Sequence, residues 1–143
     1  MNPPTDNHTL QPYLFFNGRT EEAIEFYEKA IGAERVMLMR FKDNPEPQPG
    51  CGENAELADK VMHGRLRIGN TVLMVSDGRC EGKTAFEGFS LSLNASDEAE
   101  VDRWFNALAD GGKAVMGPMK TFFSARFGMV TDRFGVMWMI LTH

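Results

Sequence analysis

The sequence predicts an α+β domain made of two paired βαβββ modules, their curved mixed sheets set around a cleft and their helices on the outer faces. Three observations predict it. The stretches "TEEAIEFYEKAIGA" (20–33) and "SDEAEVDRWFNALADGGKA" (96–114) are amphipathic helices written on one plan. Each opens with a hydroxyl residue, two acids and an alanine, carries an aromatic pair near its middle, and stops at glycine. The extended stretches around the two helices recur in the same order. Finally, each half ends in a hairpin signal, so each reads strand, helix, strand, strand, strand.

Taken in order, "PYLFF" (12–16) is the first strand. The first helix has Thr20 at its N-cap and Glu21 and Glu22 near the positive end of its dipole. Ala23, Ile24, Phe26, Tyr27, Ala30 and Ile31 form its apolar stripe, and Gly32 ends it. An extended stretch "ERVMLMRF" (34–41) follows, then "VMHGRLRI" (61–68) and "TVLMVS" (71–76), which meet at Gly69-Asn70. The second half repeats this with "FSLSL" (89–93) and a helix capped by Ser96, with Asp97 and Glu98 in its first turn. Val101, Trp104, Phe105 and Leu108 follow at i, i+3, i+4 and i+7, and Gly111 with Gly112 closes the helix. "KAVMGPM" (113–119) is next, then "SARFGMVT" (124–131) and "VMWMIL" (136–141), which meet at "DRFG" (132–135). A ferredoxin-like pair of βαβ units would leave the terminal hairpins unused; two βαβββ halves use every element. The expected organisation is a loose tail over 1–10 and one domain over 11–143, with module one at about 11–78 and module two at about 87–143.

The bulk numbers fit that domain. At 143 residues the chain is large enough to bury a core, and 43% hydrophobic with 24% charged residues is an ordinary globular composition. No apolar run reaches the roughly 18 residues of a spanning helix, and "MNPPTDNHT" has no basic stretch ahead of an apolar one, so the expected location is the cytoplasm. Cys51 and Cys80 form no CxxC and have no histidine beside them, which favours free thiols. A formal charge of −5, with scattered Lys and Arg, argues against a nucleic-acid partner. The stretch 42–60 joins two strands without clear periodicity, as a lid or a reach across a dimer interface would.

"PYLFFNGRTEEAIEFYEKAIGAE", "MHGRLRIGNTVLMVSDG" and "FGMVTDRFGVMWMI" together resemble the PhnB-like branch of the vicinal oxygen chelate superfamily, over about residues 11 to 142. That superfamily includes glyoxalase I, fosfomycin-resistance and bleomycin-binding proteins and extradiol dioxygenases. The resemblance implies paired βαβββ modules and commonly a homodimer. It also implies a place for one divalent metal, held by His, Gln or Glu from the first and last strands of the modules.

Here those places carry other residues. On the first strand the place falls at Pro12 or Tyr13, on the strand opening module two at Phe89, and four residues after Gly135 at Met139. Aligning the hairpins at Gly69 and Gly135 sets Leu73 opposite Met139. Gln11 would rescue one position if the register slipped, but one ligand is not a site. Such side chains do not suit a hard or borderline ion, so the expectation is no metal, no cofactor and a small-molecule ligand. A divalent metal remains the alternative.

Strand alternation then sends Met137, Met139 and Leu141 toward the cleft and Trp138 and Ile140 toward the helix. It also sends Thr71, Leu73 and Val75 inward, and puts His63, Arg65 and Arg67 on one face, with Ser124 and Arg126 as counterparts in module two. The ligand-binding candidates are therefore Tyr13, His63, Arg65, Leu73, Phe89, Arg126 and Met139, with His63 also a candidate general base or a structural histidine. Metal-free binding of a small, partly apolar molecule competes with an enzyme of glyoxalase or dioxygenase type. A demethylubiquinone methyltransferase, a label similar chains carry, finds no glycine-rich nucleotide loop here.

Overall fold

Alternating apolar residues and glycine-bearing turns give the strands, and the two amphipathic stripes give the helices. In the computed structural model, which describes residues 9–46, 57–78 and 83–143, they run in the predicted order. These are β1 (Tyr13–Phe15), α1 (Thr20–Ile31), β2 (Glu34–Arg40), β3 (Val61–Ile68), β4 (Thr71–Ser76), β5 (Leu91–Asn94), α2 (Glu98–Ala109), β6 (Lys113–Met119), β7 (Arg126–Thr131) and β8 (Met137–Thr142). The strands form two four-stranded sheets, ordered β1-β4-β3-β2 and β5-β8-β7-β6. In each sheet the opening strand pairs parallel with the last one and the other neighbours are antiparallel. Both sheets are therefore mixed, and the fold is α+β with the βαβββ order twice.

The helix starts differ from the predicted ones. Thr20 is buried and its Oγ1 has no hydrogen-bond partner, so its hydroxyl caps nothing. The buried Asp77, just past β4, supplies the acceptors instead. Its Oδ1 accepts the N–H groups of Gly18 at 2.6 Å and Thr20 at 3.0 Å, and its Oδ2 accepts that of Val61 at 2.8 Å. One carboxylate thus ties the entry to α1 to the start of β3. On α2 the cap is Asp97, not Ser96. Asp97 accepts the Glu100 N–H at 2.8 Å, while the Glu100 carboxylate accepts the Ser96 N–H at 2.9 Å. The one-residue shift has a simple cause: three after Asp97 stands a glutamate able to return a bond, and three after Ser96 stands Ala99.

The chain divides into two compact units, residues 1–21 with 34–81 and residues 22–33 with 82–143. In the first, Leu14, Leu66, Leu73 and Val75 are at most 4% exposed and share one face of their sheet. In the second, Val130, Trp138 and Ile140 are buried together with Val101, Phe105 and Leu108 of α2. Gly128 marks the contact, since a Cβ there would come within 2.9 Å of the Phe105 ring. Tyr27, on the α1 residues that belong to this unit, packs edge-on against Trp138, with ring centroids 5.4 Å apart. Burying each of these large side chains contributes about 1.5–3 kcal/mol.

The strands at either end of the 42–60 stretch are pinned together. The N–H groups of Phe41 and Lys42 donate to the carbonyls of Lys60 and Ala58, and Lys42 pairs with Asp59 at 2.7 Å. The middle of that stretch lies outside the described residues, as do Cys51, Cys80, His8 and most of the predicted tail. Among the described residues no helix is long and apolar enough to cross a membrane.

Candidate functional site

The strand registers line up one row of side chains across each sheet. On the first, Tyr13 pairs with Met74, Met74 with Arg65, and Arg65 with Met37, crossing β1, β4, β3 and β2. On the second, Ser92 pairs with Met139, Met139 with Met129, and Met129 with Met116, crossing β5, β8, β7 and β6. The rows are counterparts in the duplicated fold. Arg65 is the single charged residue in either.

Around Arg65 the first sheet gathers three of the predicted residues. His63 lies two positions along β3 and so on the same face. Its Nδ1 is hydrogen bonded to the Tyr13 hydroxyl at 2.7 Å. Tyr13 in turn stacks on Phe15, with ring centroids 4.9 Å apart and planes inclined by 11°. Burial raises the Tyr13 phenol above its ordinary pKa, against a smaller opposing effect of a Ser76 hydrogen bond, so the hydroxyl keeps its proton at neutral pH. Burial first, and the nearby charge of Arg65 second, hold His63 below its usual 6.5. The imidazole is then neutral at pH 7.

The arginines of the face differ. Arg67 forms an ion pair with Glu34. Among the described residues Arg65 has no ion pair, and its buried Nε has no hydrogen-bond partner. An unsatisfied buried N–H costs about 1–3 kcal/mol, so this Nε–H does not add to the stability of the sheet as it stands.

Three predicted residues lie elsewhere. Leu73 is 2% exposed and pairs with Leu66 on the opposite face from Arg65. The glycine alignment that paired it with Met139 fails because the two turns differ in length. Ile68 pairs with Thr71 across Gly69 and Asn70, whereas Asp132 bonds to Val136 across Arg133, Phe134 and Gly135. The one-residue slip flips the face, and the counterpart of Met139 is Met74. Arg126 lies on the face of β7 that packs against α2 and pairs with Asp102 at 2.5 Å. Phe89 precedes β5, is 44% exposed, and gives way to Ser92 beside Met139. Aligning Gly64 with Gly128, each one residue before its row, makes Met129 the counterpart of Arg65 and puts Arg126 on the other face.

The rows place Tyr13 and Met74 on the first sheet, and Ser92 and Met139 on the second, at the positions where the resemblance to the vicinal oxygen chelate superfamily leads one to expect metal ligands. Phenol, hydroxyl and thioethers do not fit the imidazole and carboxylate set that holds a catalytic divalent ion. Among the described residues no group of three His, Cys, Asp or Glu side chains converges. The second unit has a separate cavity of about 410 Å³, lined by residues that include Glu22, Glu25, Lys29 and Arg133. Its Arg133 is already spent on Asp110 and on the Phe26 ring.

The lowered His63 pKa has a measurable consequence. As pH falls, the unfolded chain takes up this proton before the folded one. The stability this group contributes is complete above about pH 6.5 and is lost as pH falls through the folded value. Urea midpoints measured downward from neutral pH are expected to fall less steeply for His63→Gln than for the wild type.

Residues 8–141 match the family described as 3-demethylubiquinone-9 3-methyltransferase. Protein YjdN of Escherichia coli (strain K12) is 38% identical over 136 residues, 92% of each chain. The crystal structure of protein PA1353 from Pseudomonas aeruginosa shares 42% identity with a TM-score of 0.80, covering 94% of this chain and 98% of that one. A Bacillus cereus structure, described as a putative 3-demethylubiquinone-9 3-methyltransferase, PhnB protein, shares 27% identity with a TM-score of 0.77 over 95% of this chain and 100% of its own. With this coverage and these identities, the chain belongs to the PhnB-like family, the one described as 3-demethylubiquinone-9 3-methyltransferase.

Proposed function

We propose that the protein is a metal-free binder of the vicinal oxygen chelate type, taking a small, partly apolar molecule on the sheet face that carries Tyr13, His63 and Arg65. The observation that carries this reading is the row Tyr13–Met74–Arg65–Met37, in which a guanidinium whose buried Nε has no hydrogen-bond partner among the described residues stands between two methionines. Apolar walls with a few placed polar groups are how small-molecule sites are built. Methionine thioethers adapt to irregular ligands at little cost.

A methyltransferase reading finds no support in the residues of this chain. After β1 the chain runs Phe16-Asn17-Gly18-Arg19 with a single glycine. The βαβββ order also lacks the successive βαβ crossovers of a nucleotide-binding sheet.

The reading is tested on purified protein. Elemental analysis is expected to find Zn, Ni, Mn and Fe well below one per chain, and methylglyoxal with glutathione is expected to remain unconverted. A thermal-shift screen of metabolites and antibiotics is expected to give hits that survive chelator. Stoichiometric tightly held metal, or hits that chelator abolishes, would sink it.

We also propose that the partner is a second copy of this chain. The outer strand β6 exposes Val115, Met116 and Met119, with Phe122 and Phe123 following, and such an edge calls for cover. Light scattering is expected to give twice the mass of one chain at micromolar concentration; the mass of a single chain there would refute it.

A further inference from the structure

The cations of the Arg65 face can be counted. β3 presents His63, Arg65 and Arg67 at alternate positions. Arg67 is compensated by Glu34, and a neutral imidazole hydrogen bonded to Tyr13 adds no charge. Among the described residues of this face one uncompensated positive charge remains, on Arg65. The duplicated fold shows what the sheet itself requires there, because the counterpart of Arg65 is Met129. An uncharged thioether serves the second sheet, so packing does not demand the guanidinium of the first.

The neighbours define the rest. Met74 and Met37 flank Arg65 in its row. At the end of the row the stacked rings of Tyr13 and Phe15 are 38% and 50% exposed, a flat aromatic surface open to contact. Two strand spacings, about 10 Å, separate the Tyr13 and Arg65 backbones. That is the reach of an aryl group with a short acid arm.

We infer that the ligand is a planar monoanion, its acid group on the Arg65 guanidinium and its apolar body along the methionines toward Tyr13 and Phe15. The inference rests on the reading of this face as the binding site. A planar guanidinium favours the two-oxygen edge of a carboxylate. A dianion would bring a second charge out of water with no partner to meet it, and a neutral amide would leave the guanidinium unpaired.

The test is titration calorimetry on the full chain with cinnamate, cinnamamide and styrylphosphonate, at a mildly alkaline pH where the phosphonate is a dianion. Cinnamate is expected to bind more tightly than either by about tenfold or more. Arg65→Lys, which keeps the charge and loses the planar fork, is expected to weaken cinnamate several-fold and the amide hardly at all. Equal affinity for acid and amide, or a tighter phosphonate, would overturn the monoanion while leaving a small-molecule site in place. Silence from all three probes alongside other thermal-shift hits would do the same. Silence from the entire screen would instead remove the binding reading on which the inference rests.

Discussion

Asp132→Ala is expected to destabilise the protein by about 3–5 kcal/mol and to lower its melting temperature by about 10–15 °C. Asp132 is 3% exposed and four donors converge on it. Its Oδ1 accepts the N–H groups of Phe134 at 2.9 Å and Val136 at 3.1 Å, holding the turn between β7 and β8. Its Oδ2 accepts the Tyr27 hydroxyl at 2.5 Å and the Trp138 indole N–H at 2.9 Å, both fully or almost fully buried. Alanine takes this acceptor away from all four donors. Tyr27→Phe removes one donor and leaves the carboxylate with three, so its expected cost is about 1 kcal/mol. Urea unfolding followed by tryptophan fluorescence measures both. If the two variants cost the same, the carboxylate is not a hub for these four donors.

That hub shows where sequence reading ran out. The strands and helices were legible because period-two and period-3.6 patterns are local, and β3 and β4 begin and end where the apolar alternation says. "DRFG" was legible as a turn. That its aspartate also takes a proton donor from Tyr27, 105 positions earlier in the chain, was not. Asp77 hides in the same way inside "SDG", where it looks like linker chemistry and instead holds the entry to α1. Tertiary contacts of this kind leave no periodic trace.

The faces on which the candidate residues lie were half legible for a related reason. Tyr13, His63 and Arg65 were placed together because they follow from alternation along β3 and from a short first strand. Leu73 was misplaced because it depended on transferring parity from one module to the other across the hairpin turns. A single extra residue in the second turn reverses that parity. The glycines that do correspond, Gly64 and Gly128, sit inside strands, where backbone pairing rather than turn length fixes the register.

Arg65→Met is expected to move binding and stability in opposite directions. Affinity for a monoanionic ligand should fall by about tenfold to a hundredfold, as loss of a charged hydrogen-bonding group from a largely apolar face implies. Stability should hold or rise by about 1 kcal/mol, because the substitution removes a buried Nε–H with no partner and installs the thioether that Met129 already supplies in the counterpart row. Calorimetry with cinnamate and urea unfolding of the same preparation measure the two effects together. An arginine that served only to hold the sheet would give the reverse, a clear loss of stability with ligand affinity untouched.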